Sequence, residues 1–70
     1  MTHNYAEAVG ATVRAELARK RISQTVLAEK LHLSQTAVSR RLTGKKAFDV
    51  EELAVVSLVT GVPVDRLVAA

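Results

Sequence analysis

Seventy residues with a net charge of +3 and no cysteine allow one small domain without disulfides or thiolate metal ligands. The longest apolar stretch, residues 53–59 broken by Ser57, is too short for a membrane span, and the N-terminus lacks the pattern of a secretory leader. These features predict a single soluble cytoplasmic domain over residues 1–70, whose modest core must draw on every apolar helix face.

The first predicted helix runs from about Tyr5 to Lys20. Asn4 and Glu7 have the spacing of a capping box, and Val9, Val13 and Leu17, with Ala6 one turn earlier, form an apolar stripe. Gly10 interrupts this helix at a cost of roughly 1 kcal/mol relative to alanine, so its first turn is expected to fray. Arg19, Lys20 and Arg21 close it with cations that suit a helix C-terminus and would also suit phosphate. Ile22 is expected to plug the core before the next helix.

Two short helices follow, over about 24–31 and 35–43, with little more than His32 and Leu33 between them. Leu27, Ala28 and Leu31 on one, and Ala37, Val38 and Leu42 on the other, give apolar stripes at helical spacing. Ser23 and Ser34 stand where a hydroxyl can accept from the first unpaired backbone N–H groups. So short a connection forces a steep crossing, and Ala28 and Ala37 are small enough to let the backbones approach. That arrangement is a helix-turn-helix. With Val38 and Leu42 inward, Gln35, Thr36, Ser39, Arg40 and Thr43 point outward. Glutamine can pair with adenine and arginine with guanine in a major groove, which makes Gln35 and Arg40 the candidates for base readout. Thr36 could meet a thymine methyl or a phosphate, and Ser39 a phosphate. An ordinary polar helix face is the alternative reading of the same residues.

The run Gln24-Thr25-Val26-Leu27-Ala28-Glu29-Lys30-Leu31, then Leu33-Ser34-Gln35-Thr36-Ala37-Val38-Ser39-Arg40-Arg41-Leu42-Thr43-Gly44-Lys45, resembles the Cro/cI-type helix-turn-helix family, the lambda-repressor-like transcription factors. The likeness extends from about Val13 to Leu67. It implies an all-α, compact five-helix domain whose helix 3 enters the major groove and whose Gln24 anchors to the phosphate backbone. Two positions depart from the family pattern. His32 stands where glycine is usual, at a place that commonly needs positive φ. Arg41 stands where an apolar residue is usual; its stem is expected to cover the core edge while its guanidinium reaches a phosphate.

Gly44 reads as a left-handed helix stop. Lys45 and Lys46 follow in a loop and are expected to meet phosphates, while Phe48 packs that loop. The DNA-binding set implied is thus Gln24, Ser34, Gln35, Thr36, Ser39, Arg40, Arg41, Thr43, Lys45 and Lys46. A second capping box, Asp49 with Glu52, opens a helix over about 50–60. By the family register Val50, Leu53, Val56, Ser57 and Thr60 face inward, although the two polar residues leave room for rotation. Val55, Leu58, Val59 and Val62 are apolar as well, and a helix apolar nearly all round calls for a second partner. Gly61 ends it, and Pro63 opens a last helix over about 64–69 with Leu67 inward. Val55, Leu58, Val59, Val62, Val64 and Val68 are therefore the expected dimer face, with plain core packing as the alternative.

Charge is distributed unevenly along the chain. Residues 14–46 carry nine lysines and arginines against two glutamates, a net +7, and the remainder carries a net −4. A basic middle on an acidic remainder suits a nucleic-acid face. The expectation is a sequence-specific regulator of transcription, most simply a repressor, that binds double-stranded DNA at inverted-repeat half-sites as a weak homodimer. It needs no cofactor, small-molecule ligand or membrane. The rival is an antitoxin- or antirepressor-type protein-interaction module on the same fold, which the apolar fourth helix favours. An enzyme has no support, since His3 and His32 are scattered and no carboxylates cluster near a nucleophile.

Overall fold

The first four helices of this chain begin where a side chain accepts from the first backbone N–H groups, and the fifth follows Pro63 with no such cap. The computed structural model describes residues 4–69, which form α1 (Tyr5–Arg19), α2 (Gln24–Leu31), α3 (Gln35–Leu42), α4 (Val50–Thr60) and α5 (Val64–Val68), with no strand among the described residues. Ser23 Oγ accepts from Val26 N at 3.1 Å, and Ser34 Oγ accepts from Ala37 N at 3.1 Å. Asp49 and Glu52 form the full reciprocal box, with Glu52 N donating to Asp49 Oδ1 at 2.7 Å and Asp49 N donating to Glu52 Oε1 at 3.1 Å. At α1 the box is only half made. Asn4 Oδ1 accepts from Glu7 N at 3.0 Å, but Glu7 Oε2 takes its bond from the Asn4 side-chain amide at 3.1 Å. Asparagine carries an amide donor that the aspartate of the other box lacks, and that donor takes the Glu7 carboxylate in place of the backbone N–H.

The ends of α1 to α4 are set by left-handed residues. The chain turns at Arg21 (φ 57°), His32 (φ 57°), Gly44 (φ 83°) and Gly61 (φ 76°). At three of these turns the closing bonds form a Schellman pattern. Ile22 N donates to Leu17 O at 2.9 Å, Leu33 N to Ala28 O at 3.0 Å, and Lys45 N to Arg40 O at 2.9 Å. Each reversal folds the next residues back; Ile22 and Leu33 are half-buried and pack against the core. Arg21 has neither of the residue types that mark such a turn, so its conformation is imposed by the burial that follows it.

The core joins Val13 and Leu17 of α1, Leu27 and Ala28 of α2, Val38 and Leu42 of α3, Phe48 from the loop, Leu53 and Val56 of α4, Val62, and Leu67 of α5. Helix α1 packs against α3, α4 and α5, and α2 against α3 and α4. Gly10 is buried on the α1 face toward α3. A Cβ there would lie 2.6 Å from the carbonyl oxygens of both Arg41 and Leu42. The residue that weakens α1 as a helix is thus the one that lets α3 approach it.

Three expectations about the C-terminal half need correction. Val50, placed inward by the family register, is 80 % exposed; as the first residue of α4 it precedes the turn that meets the core. Ser57 and Thr60 do not rotate the helix. Thr60 is buried, with its hydroxyl donating to Val56 O at 2.8 Å and accepting from Val62 N at 3.2 Å, so its polarity is satisfied locally. Val62, assigned to the dimer face, is in the core, because the left-handed turn at Gly61 swings it back under α4. Val55, Val59 and Val64 are half-buried, which leaves Leu58 and Val68 as the exposed members of that set.

Gly10→Ala tests the packing directly. Propensity alone would make it more stable by about 1 kcal/mol; the overlap with two backbone carbonyls should instead cost about 1–3 kcal/mol. Urea unfolding of the two proteins gives the sign.

Candidate nucleic-acid interface

The inward positions of α3 are Val38, Arg41 and Leu42, with Ala37 half-buried. Those spacings turn Gln35, Thr36, Ser39, Arg40 and Thr43 to solvent, and all five are exposed. At 100° per residue they occupy one arc of about 140° on the helix. Ser34, itself exposed, holds the start of the helix, leaving the N–H groups of Gln35 and Thr36 without an intrahelical acceptor. Gln24 stands exposed at the equivalent place on α2, one residue after Ser23. At the far end Thr43 Oγ1 donates back to Ser39 O at 3.0 Å, and Gly44 turns the chain so that Lys45 and Lys46 follow directly, both exposed.

Cations are sorted by what they pair with. Arg19 and Lys20 both reach Glu16, at 3.1 and 3.3 Å, and so belong to the end of α1. Arg40, Lys45 and Lys46 make no ion pair among the described residues. The C-terminal end of α3 therefore presents three uncompensated positive charges beside a row of hydrogen-bonding side chains. Such a surface suits phosphate on either side of a base-reading edge.

Arg41 does not join it. It is 8 % exposed; Nε donates to Glu52 Oε1 at 2.9 Å and Nη1 to Ala37 O at 2.9 Å. Its guanidinium faces α4 rather than solvent, because position 41 lies on the same side of the helix as Val38. Glu52 was the partner missed in the sequence, where it was read only as a cap. Its Oε1 accepts from both Asp49 N and Arg41 Nε, so the α4 cap also anchors α3. An arginine at a core-facing position with a carboxylate in the next helix start was the available signal.

No group of three or more His, Cys, Asp or Glu among the described residues could hold a metal, and His3 lies outside those residues. No helix among them is long and apolar enough to cross a membrane.

A helix-turn-helix family model matches residues 13–67, which covers α2, its turn and α3 together with the C-terminal part of α1, all of α4 and all but the last residue of α5. The chain belongs to the Cro/cI-type helix-turn-helix family. No curated protein and no solved structure gives a significant match. The helix-turn-helix protein is accordingly a DNA-binding transcription regulator whose partner is double-stranded DNA. In it α2 and α3 are the two helices of the motif, and His32 makes the turn in the left-handed conformation that glycine would adopt freely.

Arg41→Ala separates a structural arginine from a phosphate contact. Loss of a largely buried pair should lower stability by about 2–4 kcal/mol. At temperatures where the variant stays folded, the slope of log affinity against log salt on random duplex DNA should not change. A phosphate contact would flatten that slope by about 0.9.

Proposed function

We propose that this helix-turn-helix protein is a sequence-specific repressor that reads operator DNA with α3. What supports the reading is the single outward arc of Gln35, Thr36, Ser39, Arg40 and Thr43, bordered by Arg40, Lys45 and Lys46 without ion-pair partners. The N-terminal part of α3 enters the major groove, as the second helix of this motif does. Gln35 at its start presents an amide that can bond adenine N6 and N7, and Arg40 a fork that can bond guanine O6 and N7. Thr36 and Ser39 lie between them on the helix, Thr36 against a thymine methyl or phosphate and Ser39 against phosphate. Gln24 and Ser34, at the two helix starts, offer side chains and unpaired N–H groups to phosphate oxygens, where the positive ends of the helix dipoles add to the attraction. Thr43, Lys45 and Lys46 hold the backbone beyond the groove. Occupancy of the site then excludes polymerase, and no covalent step is required. Two copies on an inverted repeat set their recognition helices about 34 Å apart, one duplex turn.

Selection of bound sequences from random duplex DNA at physiological salt tests the proposal. An enriched inverted repeat is expected. Salt-sensitive binding with no enriched motif would remove sequence reading and leave a nonspecific binder.

Two substitutions divide reading from holding. Arg40→Ala should cost about 1–3 kcal/mol on the selected site and relax discrimination at one guanine; equal losses on selected and random DNA would contradict a base-reading role. Lys45→Ala should weaken all sequences alike and lower the salt slope by about one, and an unchanged slope would take Lys45 off the phosphate surface.

A further inference from the structure

Helix α3 is held by packing and by one set of directed bonds. Packing sets it against α1 and α2, through Val38, Leu42 and the half-buried Ala37. Apolar contact is non-directional, and a helix of eight residues, about 12 Å long, can roll upon it. Arg41 supplies the direction. Its Nη1 donates to Ala37 O at 2.9 Å, one turn back in α3 itself, so the guanidinium moves with that helix. Its Nε donates to Glu52 Oε1 at 2.9 Å. Glu52 is in turn fixed to the start of α4, where Oε1 accepts from Asp49 N at 3.1 Å and the Glu52 N–H donates to Asp49 Oδ1 at 2.7 Å. We propose that Glu52 is a specificity-determining residue for DNA binding: acting through Arg41, it fixes the roll of α3 and so the aim of Gln35 and Arg40.

Glu52 lies on α4, outside the outward arc, and is therefore a positioning residue. The side chains of the pair are 9 % and 15 % exposed, so water competes little for bonds that weaken steeply when misaligned. The lever is short. A roll of about 10° carries an atom about 6 Å from the helix axis through about 1 Å, against a working tolerance of about 0.5 Å for a binding constellation. Arg40 is the chain neighbour of Arg41, so any roll at one is a roll at the other. Phosphate contacts suffer less from the same motion. Lys45 and Lys46 stand in the loop beyond α3, on flexible stems that meet a phosphate as point charges. The pair thus sets discrimination between sequences rather than affinity for all of them. Stability is a separate matter. A buried ion pair replaced on both sides by well-fitting neutral groups often leaves stability unchanged, whereas removal of one partner strands the other. The role rests on α3 being the base-reading helix, and the two can fail separately.

Arg41→Met combined with Glu52→Gln removes both charges at once. Methionine fills the space of the arginine stem, and glutamine can close a capping box as glutamate does. Thermal unfolding of this double variant should stay within about 5 °C of the parent, and its salt slope on random duplex DNA should not change. The ratio of its affinities for the selected site and for random duplex should fall at least about fivefold, the lower worth of one two-bonded base contact. Arg41→Lys is the second variant, should the first not fold. It keeps the charge but not the rigid fork, and its ratio should fall as well. A parent chain that prefers no sequence would overturn the operator reading and this role of Glu52 with it. A parental ratio kept in either folded variant would overturn the role of Glu52 alone. Equal losses on selected and random DNA would do the same, since they would mark a general weakening.

Discussion

The backbone contact between α1 and α3 is the constraint on which the rest depends. Gly10 has no Cβ, and that absence is what lets the carbonyls of Arg41 and Leu42 sit against α1. A second contact of the same kind lies one turn away. A Cβ on Gly44 would come within 2.6 Å of Glu7 Cα, so Gly44 is required both for its positive φ and for its closeness to the start of α1. Both contacts grip the C-terminal end of α3. The orientation of the outward arc of α3 is therefore set by the helix that carries none of it, and the propensity cost of a glycine within α1 is offset by the packing of Val13 and Leu17 that the close approach permits.

The same end of α3 is held from the other side by Arg41 and Glu52. One carboxylate oxygen takes the Asp49 N–H of the α4 cap and the Arg41 Nε, so the start of α4 and the side of α3 share an anchor. This changes the electrostatics as well as the packing. Of the cations in the basic middle of the chain, Arg19 and Lys20 share the one carboxylate of Glu16, and Arg41 pairs with Glu52. Six cations of that stretch make no ion pair among the described residues, and three of them, Arg40, Lys45 and Lys46, follow one another where α3 ends, while Arg14, Arg21 and Lys30 lie on other parts of the chain.

Much of the fold was legible because its signals are local. Ser23, Ser34 and Asp49 cap within three residues of themselves, and Gly44 and Gly61 stop helices through their own φ. Arg21 was not legible, since its left-handed turn is imposed by Ile22 returning to the core and leaves no residue-type trace. Val50 and Val62 misled for a related reason. Both are valines, and a valine reads the same whether it begins a helix in solvent or follows a glycine turn into the interior. In the candidate site, the outward arc of α3 followed from helical spacing alone, whereas the destination of the Arg41 side chain did not.

By itself the sequence determined the helix-turn-helix, the polar edge of α3 and the basic character of the middle of the chain, because spacing, capping and charge are properties of neighbouring residues. Tertiary structure alone decided that Gly10 is a contact and not a defect, that Arg41 pairs with Glu52 and not with phosphate, and that Val50 and Leu58 share an uncovered face while Val62 is buried. Each of those outcomes depends on which helix lies opposite, and an arginine eleven residues from its glutamate carries no local mark of the partner it will meet.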